Sequence, residues 1–252
     1  PDVVGAFRFV CQPGQLAYDD PIVYHGQPGR SHLHQFFGNT DADASSSYAS
    51  LRAHGDSTCM NILNRSAYWM PAMLDGKGNV VRPDLISIYY KRRPASDPYC
   101  STHATACVGI APGLRFITGF DTTRPDEPQP ENVPPEWLCI NATTGAVYSA
   151  VYASLGELAS HEGCAVGHQV MVRMHSRDCW DGVHLDSADH RSHLVSAPRN
   201  PNDGQPYCPA DHPYIVPVFT TGAVYLVAPG DDISLWRLSS DHMAPSLPAG
   251  RT

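Results

Sequence analysis

Hydrophobic and polar residues alternate in short runs along this chain, and residues typical of turns separate the runs. A period of two is the period of a strand with one buried face, so the pattern predicts many short strands. Residues 85–90 (Leu-Ile-Ser-Ile-Tyr-Tyr) show it most clearly. The other predicted strands cover residues 3–11, 66–74, 80–81, 114–119, 169–174, 214–218, 222–228 and 233–238.

Two turns in this pattern predict hairpins. Residues 75–79 (Asp-Gly-Lys-Gly-Asn) contain the residue types that close a tight turn, and we expect the strands on either side to pair. Residues 229–232 (Pro-Gly-Asp-Asp) predict a final hairpin in the same way.

Helical patterns are few. Residues 46–51 predict one short helix, and residues 147–158 are compatible with either a strand or a helix. Residues 121–135 contain five prolines, which predicts a loop.

The composition supports the same fold class. Proline (23 residues) and glycine (20 residues) interrupt the chain too often for long helices, and hydrophobic residues make up 42%, as in globular proteins. We therefore predict one domain over residues 1–252. Its fold class is all-β, mainly antiparallel and sandwich or jelly-roll-like, with few short helices, long loops and disulfide bonds.

The cysteines predict an oxidising compartment. There are eight, an even number, and no C-x-x-C pair suggests a metal site, so four disulfides are expected. We expect Cys100 to pair with Cys107, and Cys179 with Cys208. Glycosylation sequons at Asn64 and Asn141 agree with a secreted protein.

The charge of the chain argues against two classes of binding partner. The formal net charge is -8, so phosphate backbones and anionic membranes would repel the protein. No run of 18 apolar residues is present to span a membrane. We expect a monomer that binds neither nucleic acid nor membranes.

The first polar motif covers residues 19–39 and contains Asp20, His32 and His34. Histidines two residues apart on a strand point to the same face. Two imidazoles on one face suit metal ligation or paired acid–base chemistry. The alternative is the polar edge of a strand with both histidines hydrogen-bonded.

The second motif covers residues 178–193, in which eight of sixteen residues are Asp, His or Arg. A turn after Asp186 would let its carboxylate approach His190, and Asp189 is placed to orient the same imidazole. His193 ends the motif. Asp and His are the short side chains used in proton transfer, although a structural hydrogen-bond network is the alternative.

The third motif is Cys-Pro-Ala-Asp-His-Pro at residues 208–213. A disulfide between Cys208 and Cys179 would hold His212 beside the second motif.

These motifs resemble the DUF1996 family, a domain of unknown function, over about residues 7–240. The resemblance implies a secreted protein of the fungal and actinobacterial kind. Such domains are often joined to carbohydrate-binding modules such as WSC domains, which implies work on cell-wall polysaccharide. They usually continue into a His-Ala-Asp-Phe motif, so we expect that a C-terminal segment is missing here. The motifs that carry the resemblance occupy residues 19–29, 31–39, 63–69, 88–92, 179–193 and 208–213.

The leading hypothesis is a secreted glycan-active enzyme, a polysaccharide hydrolase. Glycosidases use two carboxyl groups on either side of the scissile bond. Asp186 and Asp189 are the candidate pair, and Asp20 is a possible partner. The histidines of both motifs would tune pKa values and bind hydroxyl groups; they are His32, His34, His190 and His193.

A second set of residues is expected to bind the substrate, which would be a polysaccharide or cell-wall glycan. Aromatic rings can stack on sugars, and basic residues can hold a uronic acid or simply lie on the surface. The set comprises Tyr68, Trp69, Lys91, Arg92, Trp180, Asp181 and His212.

Two alternatives remain open. His32 and His34 with one of His190, His193 or His212 would form a three-imidazole copper or zinc site of an oxidative enzyme, and His193 is the leading third ligand. No cofactor is assigned under the hydrolase hypothesis. A non-catalytic wall-binding module would also combine a rigid β scaffold with a polar groove.

Overall fold

The structure is a computed structural model that describes residues 4–125, 129 and 135–252. Residue 3 of the first predicted strand, and residues 126–128 and 130–134 of the predicted loop, lie outside the described residues.

The described chain consists mainly of short strands and loops. Its strands are β1 (Gly5–Cys11), β2 (Pro13–Ala17), β3 (His34–Gly38), β4 (Ala67–Pro71), β5 (Met73–Leu74), β6 (Val80–Val81), β7 (Leu85–Arg92), β8 (Ala106–Cys107), β9 (Glu136–Ile140), β10 (Gln169–His175), β11 (Cys179–Trp180), β12 (Leu194–Val195), β13 (Tyr214–Ile215), β14 (Val218–Leu226) and β15 (Arg237–Leu238). Its helices are α1 (Tyr48–Ala53), α2 (Pro98–His103), α3 (Leu155–His161) and a 3-10 turn at Asp241–Met243.

The strands of the described ranges form four sheets. Their strand orders are β1-β7-β14-β10-β9, β12-β11-β13-β8, β15-β5-β6 and β2-β3-β4. Most pairs are antiparallel, and β8 with β13 is parallel. The prediction of a mainly antiparallel all-β protein with few short helices is confirmed.

The chain divides into two compact units of interleaved segments. Of the described residues, unit 1 contains 4–8, 88–118 and 175–220, and unit 2 contains those within 9–87, 119–174 and 221–252. The second and third polar motifs belong to unit 1, and the first belongs to unit 2. The single domain stays a prediction.

Strand β3 is the buried centre of its sheet in unit 2. All five of its residues are buried, and it lies between β2 and β4, so His34 and Phe36 are held from both sides. Phe36 stacks on Trp69, its partner across the sheet, with ring centroids 5.8 Å apart. Burial of these rings fixes the register that places His34 at the start of the strand.

The disulfides agree with the cysteine prediction. All eight cysteines are paired, as Cys11–Cys59, Cys100–Cys107, Cys139–Cys164 and Cys179–Cys208. The two pairings expected from the sequence are confirmed, and both lie in unit 1. The second brings the segment before His212 to strand β11.

Several local predictions hold. The hairpin around residues 75–79 is present, because β5 pairs with β6. The predicted helix is α1, displaced by two residues because Ser47 caps its start: the Ser47 hydroxyl accepts a hydrogen bond from the Ser50 amide.

Other local predictions were wrong. The predicted final hairpin does not form, because β15 pairs with β5 and not with β14. Residues 114–119 form no strand. The Arg115 amide instead donates a hydrogen bond to the Leu185 carbonyl, so a loop takes the place of a partner strand.

Candidate functional site

Residues 181–193 of unit 1, called here the Asp/His loop, connect two short strands that pair with each other. β11 and β12 are antiparallel neighbours, so both ends of the loop start from one rigid base. The Arg177 guanidinium donates to the Arg191 and Leu194 carbonyls, both at 2.8 Å. His212 Nε2 donates to the Ser192 carbonyl at 2.7 Å. The prediction that the Cys179–Cys208 disulfide holds His212 beside this motif is confirmed.

Asp186 and His190 form an ion-pair geometry within the loop. His190 Nδ1 lies 2.9 Å from Asp186 Oδ1 and 3.0 Å from Oδ2, so the carboxylate accepts the Nδ1 hydrogen. Arg115 also donates to Asp186 Oδ2, at 3.2 Å. With the hydrogen on Nδ1, the lone pair of the neutral imidazole is on Nε2. The side chains of Asp186 and His190 are 25% and 29% exposed, so a solvent-side ligand can reach the pair.

The backbone of His190 is itself unusual. Its φ is 58°, and within the described ranges it is the one residue other than glycine with a positive φ. This left-handed conformation costs about 1–2 kcal/mol in a residue with a Cβ. The His190 amide donates to the Ser187 carbonyl at 2.8 Å, which closes the turn that brings His190 back to Asp186. Strain of this kind often occurs at functional positions.

Asp189 organises the same turn. Its Oδ1 accepts hydrogen bonds from the Ser192 and Arg191 amides and from the Ser187 and Ser192 hydroxyls. Burial alone would raise the pKa of Asp189, but these hydrogen bonds outweigh burial and hold it far below the usual range. Asp189 therefore stays ionised, and it orients the loop backbone while Asp186 orients His190.

His193 and Asp181 also bind within the loop. His193 is 1% exposed, and its ring nitrogens contact the Ser187 hydroxyl (3.0 Å) and the Arg115 carbonyl (2.9 Å). Asp181 accepts from the His184 amide and lies 2.7 Å from His184 Nδ1. Burial raises the pKa of Asp181, and hydrogen bonds from the Val183 amide and His184 lower it by more. These contacts are of the kind that fix the shape of the loop.

The first motif gathers Asp20, His32 and His34 in unit 2. His34 Nδ1 donates to the Asp19 carbonyl at 2.8 Å. His32 Nδ1 lies 3.1 Å from the Ser239 hydroxyl, which gives its own hydrogen to the Leu33 carbonyl. Both Nε2 atoms thus carry lone pairs, and the ring centroids are 4.2 Å apart.

Burial keeps both of these imidazoles neutral. It is the main cause that lowers the pKa of His32 to about 4, and repulsion from His34 adds to it. His34 is 3% exposed, and burial lowers its pKa against the opposing charge of Asp20. Asp20 is fixed by the Ile22 and Val23 amides, both at 2.8 Å. The two imidazoles can therefore accept a proton or a hydrogen bond at Nε2, but they do not carry positive charge near neutral pH.

The expected sugar-stacking residues have structural contacts. Trp69 Nε1 donates to Asp20 Oδ2 at 3.4 Å, and its ring stacks on Phe36. The Tyr68 hydroxyl binds the Asn64 side chain. Trp180 Nε1 donates to the His184 carbonyl at 2.7 Å. Lys91 and Arg92 are exposed at the end of β7, and the Lys91 ammonium lies over the Tyr89 ring.

The expected site residues therefore form two groups. Asp186, Asp189, His190 and His193 come together in unit 1, and Asp20, His32 and His34 come together in unit 2. The hypothesis of one cavity shared by both groups stays a prediction. In the described part of the chain, no group of three or more His, Cys, Asp or Glu side chains is arranged to hold a metal ion.

Sequence reasoning missed Arg115 and Ser239. Arg115 lies in a segment whose alternation predicted a strand, and Ser239 is separated from His32 by 207 residues. An isolated Arg or Ser has no local signal, so only the folded chain shows that Arg115 binds Asp186 and that Ser239 orients His32.

Gly182 at the start of the Asp/His loop gives a stability test. Its φ is 79°, and an added Cβ would lie 2.3 Å from Tyr214 Cε2. We expect Gly182→Ala to lower the melting temperature by at least about 4 °C, since left-handed strain and a clash both disfavour alanine. Gly204→Ala is the matched control, because φ is 70° there and no atom lies within 4 Å. Equal shifts in both variants would show that packing on Tyr214 is unimportant.

Comparison with known proteins identifies a family for the chain and no individual relative. The family model described as Domain of unknown function (DUF1996) matches residues 20–243. No curated protein and no solved structure gives a significant match. Within the described residues, the helices are too short or too polar to cross a bilayer.

Proposed function

We propose that this chain, which belongs to the family of the domain of unknown function DUF1996, is a secreted glycan-active hydrolase with His190 as its general base. The observation that carries the proposal is the pairing of His190 with Asp186. An imidazole whose Nδ1 hydrogen is held by a carboxylate has a fixed tautomer and a basic Nε2.

The proposed step uses a water molecule at His190 Nε2. The water oxygen forms a bond to the reacting carbon of the glycan while its proton passes to Nε2. Asp186, which also binds Arg115, stabilises the imidazolium that results. As the bond between that carbon and the leaving oxygen breaks, the imidazolium returns the proton to this oxygen, so the reaction consumes one water. One imidazole can serve both steps where the water and the leaving oxygen lie on the same side, as at the acyl carbon of a glycan ester. A positioned base of this kind contributes about 10²–10⁴-fold to the rate.

This geometry favours His190 over the expected pair of carboxyl groups. A general acid must hold a proton, but Asp189 accepts four hydrogen bonds at Oδ1 and stays ionised. Asp186 is occupied by Arg115 and His190. The two carboxylates therefore act best as orienting groups around the imidazole.

Two other parts of the proposal, secretion and a glycan substrate, are supported by separate observations. Four disulfides suit an oxidising compartment, and the resemblance to domains that accompany carbohydrate-binding modules points to wall glycans.

The test is turnover on a panel of cell-wall polysaccharides, read as new reducing ends and released acyl groups. We expect the wild type to act on at least one member, and His190→Gln to lose about 10²–10⁴-fold in rate. His184→Gln is the matched control, since His184 also pairs with an Asp but its side chain is 63% exposed. Binding without turnover would favour the non-catalytic module, and equal losses in both variants would contradict the assignment to His190.

A metal-dependent oxidative enzyme is the second candidate, and one observation favours it. His32 and His34 present neutral Nε2 atoms whose Nδ1 hydrogens are held, as in many metal-ligating histidines. The expected third ligand, His193, uses both ring nitrogens in hydrogen bonds, so copper or zinc would bind two imidazoles with water or substrate. Metal analysis of protein purified without chelator separates the two candidates.

A further inference from the structure

A cavity of about 490 Å³ lies within unit 1, between the end of strand β7 and the segment that leads into Cys208. This volume is within the range of small-molecule sites. Its lining includes Lys91, Arg92, Arg93 and Tyr207.

The cavity has an excess of basic groups in an acidic protein. Lys91, Arg92 and Arg93 are consecutive, while the whole chain carries -8. Two carboxylates also line the cavity, but each is already bound. Asp97 accepts from Arg93 at 3.1 Å and from the Tyr99 amide, and Asp178 accepts from the Ala197 amide.

Lys91 is the basic group best able to take an anionic ligand. Its Nζ lies 5.2 Å from the centre of the Tyr89 ring, which positions the ammonium without neutralising it. No carboxylate in the described residues pairs with it. An anion in the cavity would therefore gain a charge-assisted contact without breaking an existing ion pair.

Tyr207 supplies an aromatic face to the same cavity. Tyr207 is 38% exposed, and no ring in the described residues stacks on it. Tyr99 differs, because the Arg93 guanidinium lies 3.8 Å above its ring and His103 stacks on it. The cavity thus combines a cation with an open aromatic face, and these are the groups that hold the charge and the ring of a sugar acid.

We infer that this cavity binds an acidic oligosaccharide, with Lys91 holding its carboxylate or sulfate and Tyr207 stacking on a sugar ring. The inference rests on the proposed function, since it takes the ligand from the class of molecules on which the hydrolase acts. It narrows that class to glycans that carry negative charge.

The chain offers an internal control because it contains two lysines, Lys91 and Lys77. Amine acetylation of the His190→Gln variant, followed by mass spectrometry, reports the accessibility of each. The probes are an oligogalacturonate, a sulfated oligosaccharide and a neutral oligosaccharide of equal length, with sodium acetate and sodium sulfate as controls. We expect an acidic oligosaccharide to slow acetylation of Lys91 about tenfold and to leave Lys77, which lies in an exposed turn, unchanged.

Protection by the carboxylated probe, the sulfated probe or both supports the inference and identifies the anion. Equal protection by the neutral probe, equal protection by the simple salts, or no protection overturns it. Calorimetry adds a second readout: Lys91→Gln and Tyr207→Ala should each weaken binding about tenfold, and Lys77→Gln should not. Binding without turnover by the wild type would contradict only the proposed hydrolase. Turnover of neutral glycans without Lys91 protection would contradict only this inference.

Discussion

Replacing Asp186 with asparagine is expected to lower kcat by about 10²–10⁴-fold with little change in KM. Arg115 donates to one oxygen of Asp186, and an asparagine would keep its oxygen there. Its amide NH₂ would then face His190 Nδ1. Nδ1, which lies within 3.0 Å of both oxygens in the wild type, would meet one donor and one neutral acceptor. The tautomer with its lone pair on Nε2 would no longer be fixed, and no carboxylate would stabilise the imidazolium.

Asp189→Asn is the matched control for this prediction. The four hydrogen bonds that Asp189 accepts within the loop go to Oδ1, which asparagine retains as a carbonyl oxygen. We expect its rate to stay within about threefold of the wild type. Steady-state kinetics measures both variants, and ¹⁵N NMR of labelled histidine reports the tautomer of His190. A large loss in Asp189→Asn together with an unchanged tautomer in Asp186→Asn would show that Asp189 is the reactive carboxylate.

The protein is also expected to lose stability as pH falls from 7 to 4. Burial lowers the pKa of His32 from 6.5 to about 4 in the folded state, so between these values the unfolded chain binds more protons. This contribution of His32 to the free energy of unfolding is fully present above pH 6.5 and is lost as pH falls to about 4. For His32 alone it amounts to about 3 kcal/mol, and the lowered pKa of His34 acts in the same direction.

Chemical denaturation at several pH values between 4 and 7 tests this expectation. His32→Gln should flatten the dependence of the unfolding free energy on pH, because glutamine does not titrate. His25→Gln, an exposed histidine of the same motif, should leave the slope unchanged. The same slope in His32→Gln as in the wild type would show that other groups cause the acid sensitivity.

The sequence was most informative where the pattern is local. Period-two alternation predicted β7 and β10, and the Asp-Gly-Lys-Gly-Asn turn predicted the pairing of β5 with β6. The four-residue spacing of Asp186 and His190 predicted their contact. Local pattern failed where a distant segment decides the structure: residues 114–119 alternate like a strand, but their neighbour is a loop.

The roles of the site residues were harder to predict than their positions. Asp189 is adjacent to His190 in sequence, yet the turn directs its carboxylate to backbone amides while Asp186 reaches the imidazole. His193 fits a ligand or an acid–base group by residue type, and burial with two hydrogen bonds gives it a structural position. Residue type and spacing do not encode which acceptor a side chain finally meets.

The anchoring of the Asp/His loop has a consequence for which of its positions tolerate substitution. Arg177, His212 and His193 each hold the loop through carbonyl oxygens, at Arg191, Leu194, Ser192 and Arg115. Every amino acid supplies a carbonyl, so exposed positions such as Val183 and Leu185 can mutate without releasing the loop from its supports. A library randomised at these two positions should therefore yield many folded variants, and altered selectivity for the proposed glycan substrates can be sought among them at small risk to folding.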